Sequence, residues 1–333
     1  MEFASRSHHT HLVRQIKPAL GSTPPSASVQ MSWLAAGGVY LSGCTSIPVS
    51  LQDNRRPRLG HFASRRVPWR RQKRAARPTA PCRSASFSSP LSPGANSGIG
   101  YDMTAALVAS PENHVIMGCR NYERGTRALQ QLHAQPHAGS LSLLEVDITD
   151  DQSIGLAVDK LAAEYAVVDV LINNAGIVMR NFPDRRSEIL DTMNTNSVAH
   201  LVFTEALVPL LQKSADPRII NVSSALGSIH ARLDPRDPAY GIASEAYRMS
   251  KAALNMATAC MYATYKVWGA KVWAYCPGHV ITNLTGEGDR GVRAPTGAAS
   301  STSSAAGIVD IVQGRRDDDV GQFLQMGGRI LQW

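Results

Sequence analysis

The stretch Gly94-Ala95-Asn96-Ser97-Gly98-Ile99-Gly100 decides how the chain is read. Glycine reaches backbone conformations closed to other residues and lets backbone amides approach a ligand closely. A helix opening at this point, over 99–110, presents unpaired N–H groups and the positive end of its dipole. Together these features suit a pyrophosphate-type anion. A glycine pattern alone is weak evidence, so its setting carries the reading.

Downstream the setting is regular. The patterning predicts strands over 114–119, 141–146, 168–172, 218–222 and 271–276. It predicts helices over 122–135, 151–165 and 244–268, and one long or two short helices over 186–213. Short apolar strands alternating with longer helices imply βαβ units and a parallel sheet buried on both faces. Right-handed crossovers then make the sheet doubly wound.

Upstream the setting fails. Ser84-Ala85-Ser86-Phe87-Ser88-Ser89-Pro90-Leu91-Ser92-Pro93 stands where a central strand should run into the turn. Proline removes ladder donors and is confined to edges, strand starts and bulges. The expectation is that this stretch cannot form a buried central strand.

The charge divides at the same place. The 333-residue chain carries a formal +8, but residues 1–92 hold 14 Lys+Arg against 2 Asp+Glu, and 93–333 are net acidic. A run of arginines from Arg55 to Arg77 dominates the first part. We read 1–92 as a disordered Ser/Arg/Pro-rich extension. Three origins compete: an organelle transit peptide, a nuclear-localisation or nucleic-acid patch, or translated sequence foreign to the natural protein. With 44% hydrophobic and 18% charged residues, a packed core is attainable,.

Cys44, Cys82, Cys119, Cys260 and Cys276 are odd in number and widely spaced, without a C-x-x-C. That argues against a disulfide framework and a structural metal site. The best uncharged window, 33–51, is too polar to predict a membrane span.

The glycine turn is followed in order by Asn173-Asn174-Ala175-Gly176 after a strand, Tyr247-Arg248-Met249-Ser250-Lys251 on a helix, and Pro277-Gly278 after a later strand. This ordered set resembles the short-chain dehydrogenase/reductase family over 94–333. The resemblance implies an α/β fold: a single doubly wound Rossmann domain over 93–333, its first strand missing or degraded. It also implies a nicotinamide dinucleotide cofactor. Gly94, Asn96, Ser97, Gly98, Ile99 and Gly100 map to the family's phosphate loop, Asp147 and Ile148 to the adenine contact, and Asn174, Ala175 and Gly176 to the ribose wall. Pro277, Gly278, Val280 and Thr282 map to the segment lining the nicotinamide. Cys119-Arg120-Asn121 carries no acid at the position that would bind the ribose 2′-hydroxyl of NAD(H). Arg120 is instead placed to pair a 2′-phosphate, so NADP(H) is expected over NAD(H).

Tyr247 and Lys251 are spaced i, i+4 and share a helix face. A tyrosine hydroxyl titrates near pH 10, and a neighbouring ammonium favours its phenolate. The resemblance makes Tyr247 the acid/base, Lys251 its partner and a cofactor ligand, Ser224 (with Ser223 as fallback) the holder of the substrate oxygen, and Asn196, rather than Asn194, the support of a water chain to the lysine.

The implied activity is hydride transfer between nicotinamide and a carbonyl or alcohol carbon of a small organic or secondary metabolite, without metal. The polar insert 232–246 resembles that of carbonyl-reductase-like members, and the chain's end resembles fungal members. The insert implies a monomer, with a homodimer through the 244–268 helix as the alternative. A Gly-, Ser- and Thr-rich lid is expected over 282–302. The compartment expected is the cytoplasm, or the mitochondrion if 1–92 is a transit peptide. A second reading is a catalytically impaired protein acting through its basic tail on a partner or nucleic acid; the broken first strand favours it, and the intact Ser224, Tyr247, Lys251 and Asn196 oppose it.

Overall fold

In the computed structural model, residues 89–178, 183–280, 284 and 298–333 are described. The rest of the basic extension, and Ile281 and Thr282 of the expected nicotinamide segment, lie outside the described residues.

An eight-stranded sheet has the order β3-β2-β1-β4-β5-β6-β7-β8. Its strands are β1 (Pro90–Pro93), β2 (His114–Cys119), β3 (Ser140–Glu145), β4 (Val170–Asn173), β5 (Arg218–Val222), β6 (Lys271–Cys276), β7 (Phe323–Gln325) and β8 (Ile330–Leu331). All neighbours are parallel except the pair β7–β8. Sequence order reverses beside β1, where β4 takes its free edge. Ligands of doubly wound sheets bind in the crevice at such a switch point.

The helices are α1 (Gly98–Val108), α2 (Tyr122–His133), α3 (Asp151–Glu164), α4 (Arg185–Met193), α5 (Ala199–Leu211), α6 (Ile229–Leu233), α7 (Glu245–Tyr265) and α8 (Ser301–Val312). The expected 186–213 helix is interrupted by a π-helical turn, Asn194–Val198. The predicted strands 114–119, 218–222 and 271–276 match β2, β5 and β6 residue for residue. Successive strand residues face opposite sides of a sheet. Thus Leu171 packs with the core formed by Ile154, Leu161, Phe203 and Leu207. Its neighbours Val170 and Ile172 pack with Met103, Leu107, Ile308 and Ile311 on the other face.

The expectation about 84–93 is overturned for its last four residues. Pro90–Pro93 forms a buried strand between β2 and β4. Three features admit it. The prolines occupy the first and last positions, and alternate residues of a strand address opposite neighbours, so each flanking ladder loses a single donor. Pro93 stands opposite Gly118, whose missing Cβ would lie 2.9 Å from the Pro93 Cα. The carboxylate of Asp169 accepts the Ser89 N–H at 3.1 Å and so fixes the strand's entry. Residues 89–92 thus pack with the sheet, ahead of position 93.

The strand is short, and it carries one unfavourable group. Ser92 is buried, and its Oγ has no hydrogen-bond partner among the described residues. A buried unpaired hydroxyl costs about 1–3 kcal/mol. Ser92→Ala removes the oxygen without adding bulk, so it is expected to stabilise the chain by about 1 kcal/mol and to raise Tm by about 2–4 °C. Thermal unfolding of the two proteins checks this; an equal or lower Tm for the variant counts against it.

Candidate functional site

The carboxyl ends of the strands open on a cavity of about 400 Å³. The turn after β1 forms its floor. Gly94 and Gly98 have positive φ, +76° and +55°. A Cβ on Gly94 would lie 3.0 Å from the Ala175 Cα, and one on Gly100 2.3 Å from the Gly94 carbonyl oxygen. The turn is a cradle that side chains would fill. Helix α1 opens from it with no acidic residue in its first turn, and its N-cap, Ser97, makes no side-chain capping bond. These free N–H groups fit a pyrophosphate.

The opposite wall is the stretch after β4. The Asn174 Nδ2 donates to the carbonyls of Pro93 (3.3 Å) and Gly94 (3.1 Å), stapling that wall to the glycine turn. His200 bonds the Ala175 carbonyl from behind at 2.7 Å. Asn196 is fully buried in the π-helical turn: its Oδ1 accepts the Ile177 N–H at 2.8 Å, and its Nδ2 donates to the Ile177 carbonyl at 2.9 Å and to the Ser250 Oγ at 3.0 Å. Its side chain joins the wall to α7, next to Lys251.

Tyr247 and Lys251 line the cavity from α7. The Lys251 Nζ is 5.8 Å from the centre of the Tyr247 ring. It donates to the Val222 carbonyl at 2.8 Å. Burial pulls its pKa from the usual 10.5 down to about 8. The lysine is still mostly protonated at neutral pH.

The two serines after β5 differ. Ser223 is buried and donates to the Asn255 Oδ1 at 2.5 Å. Ser224 is half-buried, and its Oγ accepts the Leu226 N–H at 3.2 Å, a bond that does not use its own proton. The Cys276 Sγ accepts the Ala225 N–H beside it at 3.1 Å. Burial pushes the Cys276 and Cys119 thiols up, so both remain thiols at neutral pH.

Of the residues the sequence singled out, Gly94, Asn96, Ser97, Gly98, Ile99, Gly100, Arg120, Asp147, Ile148, Asn174, Ala175, Gly176, Tyr247, Lys251 and Pro277 line the one cavity. Asn196 stands behind the wall. Ser223, the fallback for the serine role, lines it too, whereas Ser224, Gly278 and Val280 are not on the lining. Gly278 has a φ of +80° in the turn after β6. Val280 is buried and bridges to Ala299. Arg120 ends β2 with its side chain 77% exposed, its Nε 3.9 Å from the Asp147 carboxylate.

Sequence reading missed His200 and Arg248. His200 falls four residues after Asn196, a polar residue in an otherwise apolar helical stripe. Arg248 is buried beside Tyr247 and donates to the carbonyls of Leu226 (3.2 Å), Ile242 (2.9 Å) and Ala239. It thereby ties the insert to the turn after Ser224. The expected lid is largely outside the described residues, but its C-terminal end already belongs to α8. Among the described residues, no cluster of three metal-ligating side chains occurs, and no helix is long and apolar enough to cross a membrane.

The family model for short chain dehydrogenases matches residues 92–292. The chain belongs to this family. A Phoma short-chain dehydrogenase/reductase, eupG, is 31% identical over 68% of this chain and 90% of its own length. Another, tropE of Talaromyces stipitatus, is 29% identical over 71% of this chain and 94% of its own. Among solved structures, the NADPH-bound carbonyl reductase from chicken fatty liver superposes with a TM-score of 0.63 at 29% identity, covering 74% of this chain and 99% of that one. Membership of the family makes the chain an oxidoreductase that uses a nicotinamide cofactor.

Proposed function

We propose that the chain is an NADP(H)-dependent reductase of small carbonyl compounds, or the corresponding alcohol dehydrogenase. One observation carries the reading: the glycine turn and the Tyr247–Lys251 pair open on the same cavity. The family's chemistry needs both at once.

NADP(H), when bound, supplies or accepts the hydride. The amides of the glycine turn and α1 hold the pyrophosphate, and Asp147, Ile148 and Ala175 border the adenosine half. The 2′-phosphate falls to Arg120, which is exposed at the end of β2 with no acid in its place,. The Ser224 O–H donates to the substrate oxygen. Tyr247 gives that oxygen a proton in reduction and takes one in oxidation. Lys251 favours the phenolate by its charge and holds the nicotinamide ribose. Asn196 keeps Ser250, and with it this face of α7, in register with the wall.

Thermal unfolding of the full chain with NADPH and with NADH tests the reading. A ligand at a hundredfold excess over its Kd adds about 2.7 kcal/mol, and NADPH is expected to give the larger shift. No shift with either cofactor overturns it. Arg120→Ala is expected to weaken NADPH binding by about tenfold, the worth of a charge-assisted hydrogen bond, and to leave NADH binding unaltered. Direct titration measures both; equal effects on the two cofactors would remove Arg120 from the discriminating role.

A further inference from the structure

His200 is buried in α5 with no solvent exposure, and among the described residues its ring makes a single hydrogen bond, from Nε2 to the Ala175 carbonyl at 2.7 Å. A carbonyl only accepts, so Nε2 carries the ring proton. The Nδ1 then presents a lone pair to the interior, where no donor among the described residues meets it. Burial first, and the nearby Lys251 charge second, push the pKa down to about 3, so the ring is neutral at neutral pH. An imidazole kept in the core, half its bonding capacity unused, is placed for the one bond it makes.

That bond falls on a sensitive spot. Ala175 faces the glycine turn with no room to spare: a Cβ added to Gly94 would lie 3.0 Å from its Cα and 3.3 Å from its Cβ. The wall is held at three points. Asn174 ties it forward to the turn, His200 ties Ala175 backward to α5, and Asn196 ties Ile177 to the π-helical turn. Without the middle tie, nothing among these bonds opposes the forward pull of Asn174 at Ala175.

We propose that His200 is a positioning residue for the cofactor: through the Ala175 carbonyl it holds the wall residues 174–177 at the spacing from the glycine turn that a dinucleotide requires. The proposal rests on the nicotinamide reading of the cavity. His200→Leu keeps an apolar side chain in the core and loses the bond; His200→Gln keeps a neutral N–H donor in place of Nε2.

Two readouts on the full chain test it, amide hydrogen exchange without cofactor and NADPH binding by titration. The expected result for His200→Leu is exchange faster by about tenfold or more in residues 174–178, with β5 protection unchanged. NADPH binding weakens by a similar factor while kcat at saturating NADPH is retained, and His200→Gln restores both. Unchanged exchange in 174–178 overturns the proposal, as does a uniform loss of protection, which marks mere core packing. If His200→Leu does not fold, wild-type exchange and affinity in His200→Gln support the proposal, and loosening there overturns it. Should the wild-type chain bind no NADPH, the cofactor reading fails by itself, and exchange in 174–178 still decides whether His200 fixes the wall.

Discussion

Tyr247→Phe is expected to lower kcat/KM for NADPH-dependent carbonyl reduction by about 100- to 10 000-fold, the usual share of a positioned general acid. The substitution removes one oxygen. The ring stays, and with it the contact to the Lys251 ammonium 5.8 Å from its centre. The bonds of Asn196 to Ile177 and Ser250, and of Lys251 to the Val222 carbonyl, run between other groups. NADPH affinity and Tm should therefore stay near wild type while turnover collapses. Steady-state rates with a panel of small ketones and aldehydes, beside an NADPH titration, separate the two. A variant that retains most of its turnover would take the proton transfer away from Tyr247.

Lys251→Met is expected to be nearly inactive and yet more stable than wild type at neutral pH. The activity loss, at least about 100-fold, follows from removing a preorganised charge from a dry site. The stability gain follows from the burial of that charge. The lysine's pKa is about 8 when folded against 10.5 ordinarily. Each unit is worth about 1.4 kcal/mol, so folding a protonated Lys251 costs roughly 3 kcal/mol. Methionine escapes that cost but leaves the Val222 carbonyl without its donor, an offset of about 1 kcal/mol. A net gain of about 1–2 kcal/mol remains, or a few degrees in Tm.

The gain depends on pH in a defined sense. Between the folded and the unfolded pKa the unfolded chain binds the extra proton, so wild-type stability rises with pH there. The advantage of Lys251→Met is therefore full below pH 8, shrinks as pH climbs toward 10.5 and gives way above it to a deficit of about 1 kcal/mol from the unpaired carbonyl,. Thermal unfolding at pH 7 and pH 10 measures the difference. A variant less stable than wild type at pH 7 would mean that the lysine's hydrogen bond outweighs its burial. Such a residue is one that folding alone would discard.

Most residues that line the cavity were legible because they are written in local spacing. A glycine turn before a helix, a Tyr and a Lys one helical turn apart, and a strand ending in Asn-Asn-Ala-Gly each announce a local conformation. Their common order then identified the family. The strands β2, β5 and β6 were legible because buried parallel strands are continuous apolar runs bounded by turns. What failed was the reading of Pro90–Pro93, where local propensity was opposed by tertiary context. Gly118 on the neighbouring strand and Asp169 at its entry admit the prolines, and neither is near in sequence. The split of the long central helix had no local signal either, since the π-helical turn places Asn196 against Ile177 across the cavity wall.

The sequence by itself determined the alternating α/β order, the glycine turn at the start of a helix, the Tyr247–Lys251 pair and the family, because each rests on contacts within a few residues. Only the tertiary structure decided the rest. It gave two adjacent serines different partners: Ser223 borders the cavity and bonds Asn255 from another helix, while Ser224 accepts the Leu226 N–H of the next turn. It let a proline-bounded segment serve as a central strand. It also gave His200 its place, for a histidine becomes a tie only when the Ala175 carbonyl is brought within 2.7 Å of its ring. Spacing along the chain encodes what a single element can do; the partners that complete a buried polar group come from elements far apart in sequence, and packing alone selects them.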